Sequence, residues 1–125
     1  NLYYTYYHFH NLHSQLLKPY DILPQHYNIL KIVKGKYPAP VTPGHILDVM
    51  LDKKRDLTRL VDKLVSMKLL ERCQSKENKR FVHISLTPKG YELTLKMESE
   101  MKNLLHHHLK DEESELLSTL LDKMR

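Results

Sequence analysis

Between Lys53 and Arg80 the chain carries two groups of cations in different settings. The first lies in Lys53-Lys54-Arg55-Asp56-Leu57-Thr58-Arg59-Leu60-Val61-Asp62-Lys63-Leu64, where Leu57, Leu60, Val61 and Leu64 recur at helical spacing. One side of a helix from about Lys53 to Met67 therefore faces a core. The other side shows Arg55, Thr58, Arg59 and Lys63, with Lys53 and Lys54 at the start, where free helix amides attract phosphate. The second group is the polar tip Ser75-Lys76-Glu77-Asn78-Lys79 with Arg80 after it, set between two strand-like segments. An arginine can bond guanine O6 and N7 in a major groove, and a threonine can touch a thymine methyl. Basic residues on a narrow hairpin reach phosphates or enter a minor groove, following its potential and width. The chemistry implied is recognition of double-stranded DNA, with Lys53, Lys54, Arg55, Thr58, Arg59 and Lys63 on the helix and Lys76, Asn78, Lys79 and Arg80 on the hairpin. The bland alternative is a solvated helix face, since Asp56 and Asp62 offset part of the charge.

Residues 2 to 18 read as a helix with Leu2, Tyr6, Phe9, His13 and Leu16 in one stripe and Tyr3, Tyr7, His10 and Leu17 beside it. So wide an aromatic face exceeds what one small core needs, which points to a second subunit. Pro24 suits the first turn of a second helix carrying His26, Ile29, Leu30, Val33 and Tyr37, ended by Gly35 and Pro38-Ala39-Pro40. Thr42-Pro43 is a cap followed by proline and opens a short third helix with Ile46, Leu47 and Met50 inward, and Asp52 is placed to cap the fourth. Only a tight helix-turn-helix fits the few residues between them. Beyond Met67 the period changes to two, predicting strands over Leu69 to Gln74 and Phe81 to Leu86, with Val82, Ile84 and Leu86 on one face. Thr87-Pro88 starts a long helix to about Leu109, inward through Leu93, Met97, Met101, Leu104 and His108. A last helix from Asp111 carries Leu116, Leu117, Leu120, Leu121 and Met124.

At 125 residues the chain is expected to form one domain, and scarce glycine with frequent leucine favours helices. The net charge of +5 suits an anionic partner. Cys73 is the single cysteine, so a disulfide framework is excluded and a cytoplasmic location is expected; a structural thiol is its default role. There is no apolar run of membrane-spanning length and no signal peptide in Asn1 to His8, and no membrane partner is expected. An opening on Asn1 rather than Met is what a sequence short of some N-terminal residues shows. His10 and His13 share a helical face, but consecutive His106, His107 and His108 point about 100° apart and cannot converge on one ion. No metal and no cofactor are expected. Without a Gly-rich phosphate loop, nucleophile elbow or metalloprotease helix, an enzyme is not expected either.

Helix, tight turn, basic helix, strand, basic hairpin, strand is the winged helix-turn-helix order, within a mostly α fold that carries a small β-hairpin. From Leu23 to Leu95 the chain also resembles the MarR family of bacterial transcription regulators. The resemblance lies in Leu23-Pro24-Gln25 with Ile29-Leu30, Leu57 to Leu64, Leu69-Leu70-Glu71-Arg72, Asn78-Lys79-Arg80 and Leu86-Thr87-Pro88-Lys89-Gly90. It implies a homodimer joined through residues 1–18 and 89–125, with winged-helix cores over about 22–88 reading a palindromic promoter site, more as repressor than activator. It further implies a crevice for a small aromatic effector, for which Tyr6, His10, His13, His26 and Tyr27 are the candidates, against aromatic dimer packing as the alternative. A winged-helix module that binds only protein is the competing function, and it lacks salt-dependent affinity for DNA. Two residues depart from the family pattern. Asn78 stands where an acidic residue commonly pairs with the wing arginine, and Lys68 stands where glycine commonly follows the recognition helix; a left-handed backbone there would strain a lysine.

Overall fold

A computed structural model of the chain describes residues 1–53, 56–78 and 80–125, apart from the side chain of Leu105. The element order is α1 (Leu2–Leu17), a 3-10 turn over Lys18–Tyr20, α2 (Pro24–Lys34), α3 (Pro43–Val49), α4 (Leu57–Ser66), β1 (Leu70–Gln74), β2 (Val82–Leu86), α5 (Pro88–His106) and α6 (Asp111–Lys123). This is a winged helix-turn-helix with additional helices at both ends. The third and fourth helices are joined by residues 50–56, and the β1–β2 hairpin follows α4 directly.

The apolar periodicities converge on one core. Ile29, Leu30 and Val33 of α2, Ile46 of α3, Val61 and Leu64 of α4, Leu70, Ile84 and Leu86 of the hairpin, and Met97 and Met101 of α5 are all buried and in one cluster. Leu17 at the end of α1 joins them, so the N-terminal helix is anchored at its C-terminal end while Tyr3, Tyr4, Tyr6 and Tyr7 stay exposed. Leucine-scale side chains each contribute about 1.5–3 kcal/mol when fully withdrawn from water. The strands pair antiparallel with Leu70 opposite Leu86, Arg72 opposite Ile84 and Gln74 opposite Val82. Val41, in the loop before α3, exchanges two backbone hydrogen bonds of 2.8 Å with Ile84 and so adds a third, one-residue rung. That rung is absent from the sequence reading because Pro40-Val41 has no strand periodicity; the tertiary fold supplies it.

Several boundaries differ from expectation. The fourth helix begins at Leu57 rather than near Lys53, and its cap is Asp56, whose carboxylate accepts the Arg59 N–H at 3.4 Å, not Asp52. The reason is electrostatic: three consecutive cations oppose the positive end of a helix, whereas an aspartate there favours it. Leu47, expected inward, is 40% exposed, because α3 stops at Val49 and rests on the core through Ile46 while Met50 follows as its cap residue. Tyr37 falls beyond α2 and is stacked on Tyr91 at 4.4 Å. The long helix ends at His106, and His108 is exposed with its ring edge-on to Phe9. The strands begin at Leu70 and Val82, one residue later than expected.

Candidate nucleic-acid interface

The fourth helix has its apolar side sealed: Val61 and Leu64 are buried and Leu57, Leu60 and Val65 pack against the same cluster. Thr58 and Arg59 lie on the exposed side, as does Lys53 in the turn before it. Lys76, Asn78 and Arg80 are exposed on the hairpin tip. Lys54, Arg55 and Lys79 lie outside the described residues. Lys63 differs from its neighbours. Its ammonium stands 3.5 Å from the Asp21 carboxylate beside the 3-10 turn, on the flank of α4 that faces the corner between α1 and α2. The Asp21 position explains the contact, since its backbone is left-handed (φ 56), a conformation Asp tolerates, and the turn carries its side chain toward α4.

The end of α4 is built with unusual completeness. The Lys68 N–H donates to the Val65 carbonyl at 2.9 Å and the Leu69 N–H to the Leu64 carbonyl at 3.0 Å, a Schellman pattern with Lys68 left-handed at φ 60. Glycine adopts that conformation freely; a lysine does so against its Cβ. Lys89 Nζ donates to the Met67 carbonyl at 3.3 Å, a cation at the negative end of the helix. Thr87, between β2 and α5, closes the junction. Its hydroxyl lies 2.8 Å from the Lys68 carbonyl and 3.1 Å from that of Leu69, and accepts the Gly90 N–H at 2.9 Å. A Cβ on Gly90 would stand 2.1 Å from the Leu69 carbonyl oxygen, so the Thr-Pro-Lys-Gly sequence is required by a close approach of backbones. The wing therefore leaves α4 at an angle set by this junction.

At the tip the Asn78 carboxamide oxygen accepts the Arg80 N–H at 3.0 Å, and the Asn78 carbonyl accepts the Phe81 N–H at 3.0 Å. Asparagine thus shapes the turn through the main chain. Arg72 also bears on the interface, although it lies outside the two cation groups that the sequence marks. Its guanidinium lies 2.6 Å from the Asp62 carboxylate and 3.5 Å from the Thr58 carbonyl, reaching from β1 across to α4. The available signal was its parity with Leu70 in a period-two strand, which places a cation on the inner face.

A cavity of about 470 Å³ lies between α1, α2 and the loop into α4. Tyr6, His10, His13 and Tyr27 line it, together with Lys31, Asn28 and residues 50–52. Tyr6 and His10 are stacked at 5.6 Å, and Lys31 Nζ lies 5.8 Å over the Tyr27 ring. Burial, with help from Glu98, pushes the Tyr27 phenol up to about 12. Burial, then the neighbouring His10, holds His13 below its usual range, and its Nε2 is buried without a hydrogen-bond partner among the described residues. His26 is elsewhere. It is buried in the first turn of α2, where Nδ1 accepts the Leu23 N–H at 2.9 Å, and it does not line this cavity. Burial and then Lys63 lower its pKa, against a smaller raising effect of Asp21, so the neutral ring that can accept this bond is favoured. Among the described residues no group of three or more His, Cys, Asp or Glu could hold a metal ion, and no helix is long and apolar enough to cross a membrane.

No family model matches the chain, and no curated protein matches it. Solved structures do. A cysteine-to-serine mutant of MarR from E. coli, complexed with operator DNA, is 27% identical with a TM-score of 0.71, covering 91% of this chain and 83% of that one. S. aureus MepR in a DNA complex is 24% identical with a TM-score of 0.75, covering 98% and 93%. Bordetella bronchiseptica BpsR, whose DNA binding is regulated by 6-hydroxynicotinic acid, is 17% identical with a TM-score of 0.77, covering 98% and 89%. The last two likenesses are of fold; the first adds a sequence similarity that extends over nine-tenths of the chain.

Proposed function

We propose that the chain, which is similar in fold and in sequence to MarR, is a MarR-type winged-helix transcription regulator, binding specific DNA sequences and acting as a repressor in the cytoplasm. The observation that carries the reading is the arrangement of α4: Val61 and Leu64 sealed in the core, Thr58 and Arg59 outward, with Lys53 before them and Lys76 and Arg80 on the adjoining wing. Arg59 and Thr58 contact bases in the major groove, and the wing cations meet the flanking backbone. Lys63, drawn toward Asp21, contributes less than its neighbours.

The protein acts as a homodimer on a palindromic site, so that two recognition helices enter successive major grooves about one turn apart. Support comes from the terminal helices, where Tyr3 is 82% exposed, Tyr4 83%, Leu116 60% and Met124 70%, more apolar surface than a lone subunit usually leaves to water. Bound in this way the dimer blocks promoter elements sterically. A small aromatic effector in the cavity between α1 and α2 releases DNA. The cavity wall includes Leu51, whose N–H donates to the Asn28 side chain at 3.1 Å on the path into α4. The effector acts only by binding the DNA-incompetent form more tightly.

Selection of duplexes from a random pool, followed by anisotropy titration of the enriched site, tests the reading. A palindrome is expected, with affinity falling steeply as salt rises. Arg59→Ala should cost about 1–3 kcal/mol and relax the sequence preference. Affinity and preference untouched by Arg59→Ala would count against the helix as base reader, and no salt-dependent binding at all would favour a protein-interaction module. Sedimentation showing a monomer would remove the dimer, and a thermal-shift series with aromatic acids checks the effector.

A further inference from the structure

We infer that Arg72 is a positioning residue: from the inner face of β1 it straps the recognition helix to the wing through Asp62 and the Thr58 carbonyl, so that both parts meet DNA as one body. This rests on the reading of α4 and the wing as the DNA-contacting pair.

Arg72 pairs with Ile84 across the hairpin, so its side chain shares a face with buried Leu70, Ile84 and Leu86 rather than with outward Glu71 and Cys73. A cation on that face needs a partner on the element it faces, and α4 packs there. Thr58 and Asp62 are four residues apart on α4, hence stacked on one flank, and one planar guanidinium reaches both, at 3.5 and 2.6 Å. The side chains of Arg72 and Asp62 are 35% and 56% exposed, so the strap works at the rim of the core and in view of the groove. It does two things. It fixes the inclination of β1 against α4 beyond the junction at Lys68 and Thr87, and it engages the carboxylate of Asp62 next to the base-reading flank. A neighbouring carboxylate left unpaired would repel phosphate.

Strap and direct phosphate contact predict opposite signs for one substitution. Asp62→Ala removes a negative charge and improves helix propensity, so without a strap it tightens DNA binding or leaves it alone. With the strap it weakens binding to the enriched duplex about tenfold, mid-range for coupled neighbours. Arg72→Gln is expected to weaken binding by a similar factor with an unchanged salt slope, whereas loss of a phosphate contact lowers the slope by about one. The double variant should be no worse than either single one, and exchange of the charges (Arg72→Asp with Asp62→Arg) should recover most of the loss. Tighter or unaltered binding by Asp62→Ala, or a slope reduced by about one in Arg72→Gln, overturns the strap. Should the wild-type chain bind no duplex, the DNA reading fails separately, and hydrogen exchange of the free protein decides: faster exchange at Glu71 to Gln74 and Val82 to Leu86 in Asp62→Ala supports the strap, and unchanged exchange overturns it.

Discussion

The base and the tip of the wing are made differently. At the base, the Schellman bonds at Lys68 and Leu69, the Thr87 hydroxyl and the close approach of Gly90 to Leu69 tie the end of α4, both strands and the start of α5 together, with Leu69 and Leu70 nearly inaccessible to water. At the tip every described bond is local: Asn78 to Arg80, Phe81 to Asn78, Ser75 to Phe81, Glu77 to Ser75. Buried backbone groups must find partners inside the protein, while exposed ones have water. Direction is thus imposed at the base, and the tip is free to vary in sequence for whatever it touches.

Gly90→Ala is the severest way to break the base. The added carbon meets the Leu69 carbonyl oxygen and carbon at 2.1 and 2.9 Å and Leu86 Cδ1 at 2.9 Å, and the Leu69 backbone cannot yield cheaply. A loss of about 3 kcal/mol or more is expected in urea unfolding, at or beyond the upper end for overpacked sites. Thr87→Val keeps the shape and removes the hydroxyl, leaving the Gly90 N–H without its acceptor and the Lys68 carbonyl without its donor. That should cost about 2 kcal/mol by the same measurement. If either variant unfolds like the wild type, the junction does not hold the wing.

The same contrast governs what could be read from sequence. The winged order, the core faces of α2 and α4, and the Thr87-Pro88 start of α5 follow from periodicity and capping, which are local. Lys68 stands where the family pattern has glycine, and its φ of 60 is the conformation that glycine serves. What escaped were contacts between distant segments. The Val41–Ile84 rung, the Lys63–Asp21 pair and the Arg72–Asp62 pair join residues 43, 42 and 10 positions apart, and no window of local pattern contains both partners with a reason to meet. His26 stands apart from the cavity that His13 lines for a local reason, since its ring turns back to accept the N–H of Leu23, the residue that caps its own helix.

Lys68→Gly sharpens the comparison from the other side. Relief of the left-handed Cβ contact outweighs the added freedom of the unfolded chain, and the side chain is exposed, so little packing is lost. A gain of about 0.5–1 kcal/mol is expected in the unfolding midpoint. Unchanged or lower stability would mean that the lysine stem packs usefully at the junction, and the strain would not be the governing effect.

Asn78→Ala is the corresponding change at the tip and should have the smallest effect on folding. It removes one acceptor from an exposed turn whose Arg80 N–H can turn to water, so stability should shift by no more than about 0.5 kcal/mol. Its consequence is for binding, since the turn that aims Arg80 is loosened while the base stays intact. Affinity for the enriched duplex should fall by a factor of about two to five, as ordering the tip on DNA then carries an entropic cost. A loss of stability comparable to that of Thr87→Val would show instead that the tip helps hold the wing's direction, and the division between base and tip would have to be withdrawn.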